Sequence, residues 1–442
     1  MLSYNLRLAL ASYRRNPTLT ALVAGAIALG IAVCTITLTL YHGMSNNPIW
    51  WKSDKLYSVT IDSWDSKRPD DEKHPERPPP QLTYKDTMAL LKSDIPKYKV
   101  AMFRADRVLD AGVKDVKPKR MRVRVTTGDF FRAFDLPFQY GGPWTNAADQ
   151  GPEPLVVLDR ETNEKVFGGA NSVGRTVRLN DREFRIAGVL DTWEPTPSYY
   201  DLNNGSFLKP ESIYIPFLWG EQLELASNGN TNCWKTESLN SYQDFKNSEC
   251  VWIQFWAEFA SGADRQRFQS WLDGYVKEQK KLGRMPRPLN NPLYTVEQWL
   301  EFNAVVSKDN RVLVGLAFMF LAVCIINTVG LLLAKFLSGA SLSGLRRALG
   351  ASRRDIFHQH LIEVVVLGLA GGLLGLVLSA VGLLGLRRLF ASEYSTYDSL
   401  AHMDTTMVAA AIALSLVAGL LAGLYPAWRI GRIQPATYLK TQ

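Results

Sequence analysis

The sequence predicts an α-helical membrane protein with four transmembrane helices and a large α+β domain inserted between the first and the second. Three observations carry that prediction. Four apolar runs, at 17–42, 311–337, 361–388 and 405–428, are each long enough to cross a hydrocarbon core about 30 Å thick. The stretch 43–310 is polar, proline-rich and rich in aromatics, the composition of an aqueous domain. Basic residues gather at alternate ends of the runs, which is how membrane orientation is written in sequence.

The first run starts cleanly. Asn16 suits an N-cap and Pro17 the first helical turn. A cleaved signal peptide would carry an apolar core of about 7–15 residues and a small-residue cleavage site, so this longer run reads as an uncleaved anchor. Arg7, Arg14 and Arg15 precede it, Arg346, Arg347, Arg353 and Arg354 lie between the second and third runs, and Arg429, Arg432 and Lys440 follow the fourth. Basic flanks stay in the cytoplasm, so both termini are expected inside, with 43–310 and the short loop 389–404 outside. Arg387 and Arg388 oppose this rule and read as snorkelling anchors. The same placement accounts for the net charge of +8, and no RNA-binding or zinc-finger pattern accompanies it, which excludes nucleic acid as a partner.

Residues 1–16 form an interfacial helix on this reading. Leu2, Leu6, Ala9, Leu10 and Tyr13 share a face, with Arg7 and Arg14 away from it, so the helix lies on the inner membrane surface against lipid. Within the spans, Gly368, Gly371, Gly372 and Gly375, together with Gly419 and Gly423, let backbones approach closely. Their spacing suits packing within the chain and dimerisation equally. Asn327, near the middle of the second span, is expected to face another helix, because lipid cannot satisfy an amide. Lys335 and Glu363 fall near the cytoplasmic edge, where Glu363 is expected to reach the headgroups. No polar pathway through the spans is visible.

Outside, strands are expected at 56–61 and 121–126, a hairpin at 177–189 turning on Asn180 and Asp181, and a strand at 251–259. In that last strand Val251, Ile253, Phe255, Ala257 and Phe259 alternate with Trp252, Gln254, Trp256 and Glu258. The tryptophans belong on one face, under a second layer or on a docking surface. Helices are expected at 82–92, 262–281 and 296–306, and a loop at 77–80. Cys233 and Cys250 are the cysteines of this region, and an oxidising compartment lets them pair, clamping an exposed loop at 227–249. Cys34 and Cys324 sit in spans.

Catalytic patterns are poorly supported. The stretch 169–176 (GANSVGRT) nearly spells a P-loop, but Arg175 replaces the lysine and a strand, not a helix, is expected next. His358 and His360 lack metal-ligand spacing, and no nucleophile elbow occurs. No metal site and no enzyme activity are expected.

Two regions resemble a known family. The stretches 125–142 (VTTGDFFRAFDLPFQYGG) and 154–189, with FGG, VGRT and the hairpin, resemble the periplasmic core of MacB-like permeases. The stretches 344–351 (GLRRALGA) and 425–436 (YPAWRIGRIQPA) are similar to FtsX-type permease signatures. The resemblance implies a MacB-like periplasmic domain, of the porter and sabre type, in a bacterial inner-membrane protein. It implies the permease subunit of an ABC transporter acting by mechanotransmission, so that ATP hydrolysis moves the periplasmic domains, in tripartite efflux or export. Lipoprotein release and regulation of a cell-wall hydrolase are the alternatives. Expected partners are a cytoplasmic ATPase dimer, a second permease (identical or not), a periplasmic adaptor and an outer-membrane channel. Two departures matter. Leu342, Ser343 and Gly344 stand where the family has an acidic residue before the paired arginines. No nucleotide-binding domain precedes the first span, so a separate ATPase is expected to use ATP and magnesium, with no cofactor held by this chain. The region 338–360 is then the coupling helix, with Leu345, Arg346, Arg347, Leu349, Gly350 and Ala351 docking the ATPase. A surface helix on anionic lipid is the bland alternative.

Overall fold

The computed structural model describes residues 2–390, 400 and 403–432. The rest of the expected loop 389–404, of the tail 429–442 with Lys440, and of the motif 425–436 lies outside the described residues, as do the side chains of Leu2, Leu6, Arg7 and Leu10. The chain forms two compact units: residues 1–46 with 306–442, and residues 47–305.

Helices α1 (Leu2–Arg15) and α2 (Pro17–Ser45) open the first unit, and Pro17 occupies the first turn of α2. The second unit runs β1 (Leu56–Val59), α3 (Tyr84–Leu91), β2 (Tyr98–Asp110), β3 (Lys119–Thr126), α4 (Asp129–Ala133), β4 (Phe138–Gly141), α5 (Asn146–Gln150) and β5 (Leu155–Leu158). It continues with α6 (Arg160–Phe167), β6 (Thr176–Leu179), β7 (Arg182–Leu190), β8 (Ile213–Pro216), α7 (Trp219–Gln222) and α8 (Tyr242–Asn247), and closes with β9 (Gln254–Glu258), α9 (Gly262–Lys281), β10 (Leu293–Thr295) and α10 (Val296–Phe302). Its ten strands form one mixed sheet, ordered β10-β1-β9-β2-β3-β8-β5-β7-β4, with β6 bonded to β2 and β7. β3 pairs β8, and β5 pairs β7, in parallel.

A sheet covered on both faces needs two cores. On one face α9 buries Phe268, Leu272 and Val276, spaced four residues apart, against Phe255, Ala257 and Phe259. Ser261 caps that helix by accepting the Asp264 N–H. On the other face Phe130, Phe134, Tyr199, Tyr200, Trp256 and Trp299 make an aromatic core. Edge-to-face pairs such as Phe130–Phe134, at 4.9 Å between ring centroids, fill it. The hairpin β6–β7 turns at Asn180, which adopts a left-handed φ of 52°. β6, a strand, follows the near P-loop.

Three expectations need correction. Trp252 and Trp256 lie on opposite faces of the sheet, both fully buried, which removes the docking-surface alternative. The backbone N–H groups of Trp252 and Ile253 both donate to Leu82 O, at 3.1 and 3.2 Å, so an extra residue interrupts the alternation there. The stretch 227–249 is not all exposed loop. It contains α8, closed by a capping box of Ser241 and Asp244, and Phe245 stacks on Trp252 at 5.0 Å. α10 stops at Phe302, four residues short of the expected end, because Ala304 turns into a left-handed conformation.

The first unit resumes with α11 (Lys308–Ser338), α12 (Ala340–Ala348), α13 (Arg353–Phe390) and α14 (Thr405–Gly431). Among the described residues four helical segments, corresponding to α2, α11, α13 and α14, are long and apolar enough to cross a membrane.

Candidate functional site

The short helix α12 and the turn behind it hold the residues singled out for coupling. Leu342, Leu345 and Leu349 are all exposed and recur at helical spacing, making one apolar stripe; Leu349 is 80 % exposed. The turn is rigidly specified. Ala351 N donates to Arg346 O at 3.0 Å and Gly350 N to Arg347 O at 3.2 Å, the two crossed bonds of a Schellman cap. Gly350 takes φ +103°, a conformation that side-chain-bearing residues rarely adopt. Ser352 then starts α13, accepting the Asp355 N–H while Asp355 accepts from Ser352 N. Arg346 Nη1 donates to Gln359 Oε1 at 2.7 Å, bracing α12 against α13. Ile356, on the following helix, is by contrast buried in the bundle.

The glycines divide between two seams inside the chain. A Cβ on Gly371 would sit 2.9 Å from Ile27 Cβ, and one on Gly375 2.9 Å from Ala28 O, so this pair seats α13 against α2. Gly368 and Gly419 meet face to face, where an added Cβ on either would approach the other's Cα within 3.2 Å. Gly372 faces Ser415 and Gly423 faces Val364, so these four seat α13 against α14. Asn327 departs from expectation. It is exposed on α11, with no hydrogen bond from its amide to another helix among the described residues, in a stretch where Val323 and Ile326 are exposed as well.

Glu363 is also corrected. Rather than reaching toward headgroups, it is buried beside Lys335, with Nζ to Oε1 at 2.7 Å. Ser12 Oγ donates to the same oxygen at 2.6 Å, the Tyr13 hydroxyl donates to Glu363 O at 2.7 Å, and His360 Nδ1 lies 3.3 Å from Oε2. Lys335 Nζ stands 4.5 Å from the Tyr13 ring centroid. This cluster fastens α1 to α11 and α13.

In the second unit Cys233 and Cys250 are joined by a disulfide. Arg124, fully buried, is held by Glu211 and Asp201, a cluster that sequence reading missed because the three residues lie on separate segments. Among the described residues no group of three potential ligands is placed to hold a metal ion.

Residues 20–275 match the MacB-like periplasmic core domain, and residues 314–435 match the FtsX-like permease C-terminal domain. The chain belongs to the MacB/FtsX-like ABC permeases. It is 25 % identical over 315 residues to the macrolide export ATP-binding/permease protein MacB of Salmonella typhi, an alignment covering 71 % of this chain and 42 % of that protein. It is 23 % identical over 435 residues to MacB of Pasteurella multocida, covering 96 % and 58 %. The chain thus spans about half the length of the curated relatives it matches. The periplasmic region of MacB from Actinobacillus actinomycetemcomitans aligns with a TM-score of 0.36 at 13 % identity, covering 57 % of this chain and 94 % of that one. The FtsX-like match encloses α12, the six glycines of the two seams and Asn327, so these residues fall within the permease part of the family.

Proposed function

We propose that this chain is the permease subunit of an ABC transporter working by mechanotransmission. ATP hydrolysis in a separate cytoplasmic ATPase dimer moves the 47–305 unit on the periplasmic side, held between the first and second spans, while cargo does not pass through the spans. The observation that carries this reading is the exposed stripe Leu342–Leu345–Leu349, locked in place by the Gly350 turn and bordered by Arg346 and Arg347. An apolar knob on a charged helix fits a groove on a protein partner. Both termini then lie in the cytoplasm, ATP and magnesium are held by the partner, and this chain supplies no catalytic group. The buried charges of the bundle neutralise each other, which suits a lever better than a conduit. Tripartite efflux or export, with an adaptor and an outer-membrane channel, is the setting we assign.

A second permease completes the machine. Asn327, an amide on an exposed apolar helix face, supports a partner helix there, because hydrocarbon leaves it unsatisfied. The decisive experiment is copurification and ATP turnover with the cognate ATPase. Leu349→Asp, and Arg346→Glu with Arg347→Glu, should each detach the ATPase or abolish its stimulation while the permease still inserts. Unchanged copurification and turnover in both variants would refute the coupling role.

A further inference from the structure

A cavity of about 550 Å³ opens in the 47–305 unit beside Trp51, Lys55, Lys97, Tyr98, Arg132 and Phe259. Its floor is already paired. Lys52 Nζ lies 2.9 Å from Glu258 Oε2 and 2.8 Å from Asp135 Oδ1, and it donates to the carbonyls of Arg132 and Ala133. Lys97 takes the other Glu258 oxygen at 3.3 Å. Two carboxylates are therefore matched by two lysines. Lys55 and Arg132, both exposed on the wall, have no carboxylate within ion-pair distance among the described residues. The cavity carries a surplus of positive charge that an anion would neutralise.

Its rim is aromatic, and exposed. Trp50 is 71 % and Trp51 50 % exposed, with their rings edge to face at 6.0 Å. Trp51 is fixed in this position by donating from Nε1 to Asp135 Oδ2 at 2.9 Å. The other tryptophans of this unit are buried or half-buried, and Trp252, Trp256 and Trp299 are buried. Two adjacent indoles left in the open suit the membrane–water interface, where an amphipathic ring has both an apolar and a wet side. The sequence supplies the membrane. Trp50 follows Ser45, the last residue of α2, by five residues, and the apolar segment that begins at Pro17 runs on to Lys52.

We propose that this cavity binds the phosphate headgroup of an anionic phospholipid of the membrane, with Lys55 and Arg132 pairing the phosphate and Trp50 and Trp51 seated at the boundary of headgroups and acyl chains. The paired floor, Lys52 with Asp135 and Glu258, holds the wall in shape without competing for the ligand. The site does not depend on the ATPase or on the coupling helix, so it stands or falls apart from the proposed function.

The test uses the full chain in nanodiscs of phosphatidylcholine with increasing phosphatidylglycerol, counting retained lipid by native mass spectrometry. Phosphatidylglycerol should be retained in preference, and Lys55→Gln and Arg132→Gln should each weaken that preference about fivefold. Brominated lipid should quench wild-type tryptophan fluorescence more than that of Trp50→Phe/Trp51→Phe, whose folding is checked by its unchanged elution and circular dichroism. Equal retention of the two lipids by the wild type, or retention unchanged in both charge variants, would overturn the proposal. So would inorganic phosphate raising the thermal midpoint of the detergent-solubilised chain as much as phosphatidylglycerol does, since a free anion would then be the ligand.

Discussion

Arg124→Met removes a guanidinium from the middle of the sheet and leaves its two partners stranded. Nε donates to Glu211 Oε2 at 3.0 Å, and Nη2 donates to Glu211 Oε1 at 2.6 Å and Asp201 Oδ2 at 2.7 Å. The three side chains are 0 %, 3 % and 2 % exposed. Burial alone pulls the Arg124 pKa down, but Glu211 and Asp201 outweigh it and the net direction is upward, so the ion stays charged. Breaking such a pair from one side costs about 3–5 kcal/mol, because it leaves uncompensated buried charge. In a domain of this size each kcal/mol moves the thermal midpoint by about 2–4 °C, giving an expected fall of roughly 6–20 °C. Removing the charge from all three positions, with Arg124→Met, Glu211→Leu and Asp201→Asn, should recover most of the loss. The assay is thermal unfolding of the full chain at neutral pH, followed by tryptophan fluorescence. A single variant within 1 kcal/mol of wild type, or a triple variant no better than the single, would refute this account.

Other parts of the molecule carry further expected outcomes. Burial pushes Asp149 up to about 7, against donors from Gly128 N and Trp144 Nε1 that pull it down. Its folded value exceeds its unfolded one, so its contribution to stability falls as pH rises from about 4 to about 7, and Asp149→Asn should flatten that slope in pH-dependent melting. Reducing Cys233–Cys250, or replacing both cysteines by serine, should cost about 3 kcal/mol for a closed loop of this length, read as a lowered midpoint in denaturant. Gly371→Ala drives a Cβ to within 2.9 Å of Ile27 Cβ and 3.1 Å of Ala24 O, and should lower the melting point of the bundle by about 1–3 kcal/mol in stability. Gly385→Ala on the same helix, where a Cβ meets nothing within 4 Å, should leave it unchanged.

Elements whose cause is local were readable in the sequence. α9 announces itself by Ser261 and its four-residue apolar spacing, and the β6–β7 hairpin by alternation on either side of Asn180. β2 was not foreseen, because Arg104, Asp106 and Arg107 interrupt its alternation where one end of the strand reaches solvent. Nor was the fate of Glu363. Judged alone, a carboxylate near a span end belongs in the headgroups, and its partner Lys335 sits on another helix, invisible to any local rule. The glycine spacing could not say which helices meet, whereas Ile27 beside Gly371 and Gly419 beside Gly368 do. The rule that lipid is a poor home for an amide did not place Asn327, which is exposed on α11 with no hydrogen bond from its amide to another helix among the described residues.

The chain comes into the sheet domain through β1 and goes out through β10 and α10, and these two strands are neighbours, paired as Tyr57 with Thr295, Ser58 with Tyr294 and Val59 with Leu293. Incoming and outgoing polypeptide therefore share one antiparallel clasp with both free ends on the same side. A tug on one connection alone strains the β1–β10 ladder, whereas an equal pull on both moves the two strands together and passes into the sheet through the ladder that β1 makes with β9. A load shared by the two connections therefore spares the clasp that a load on one would strain.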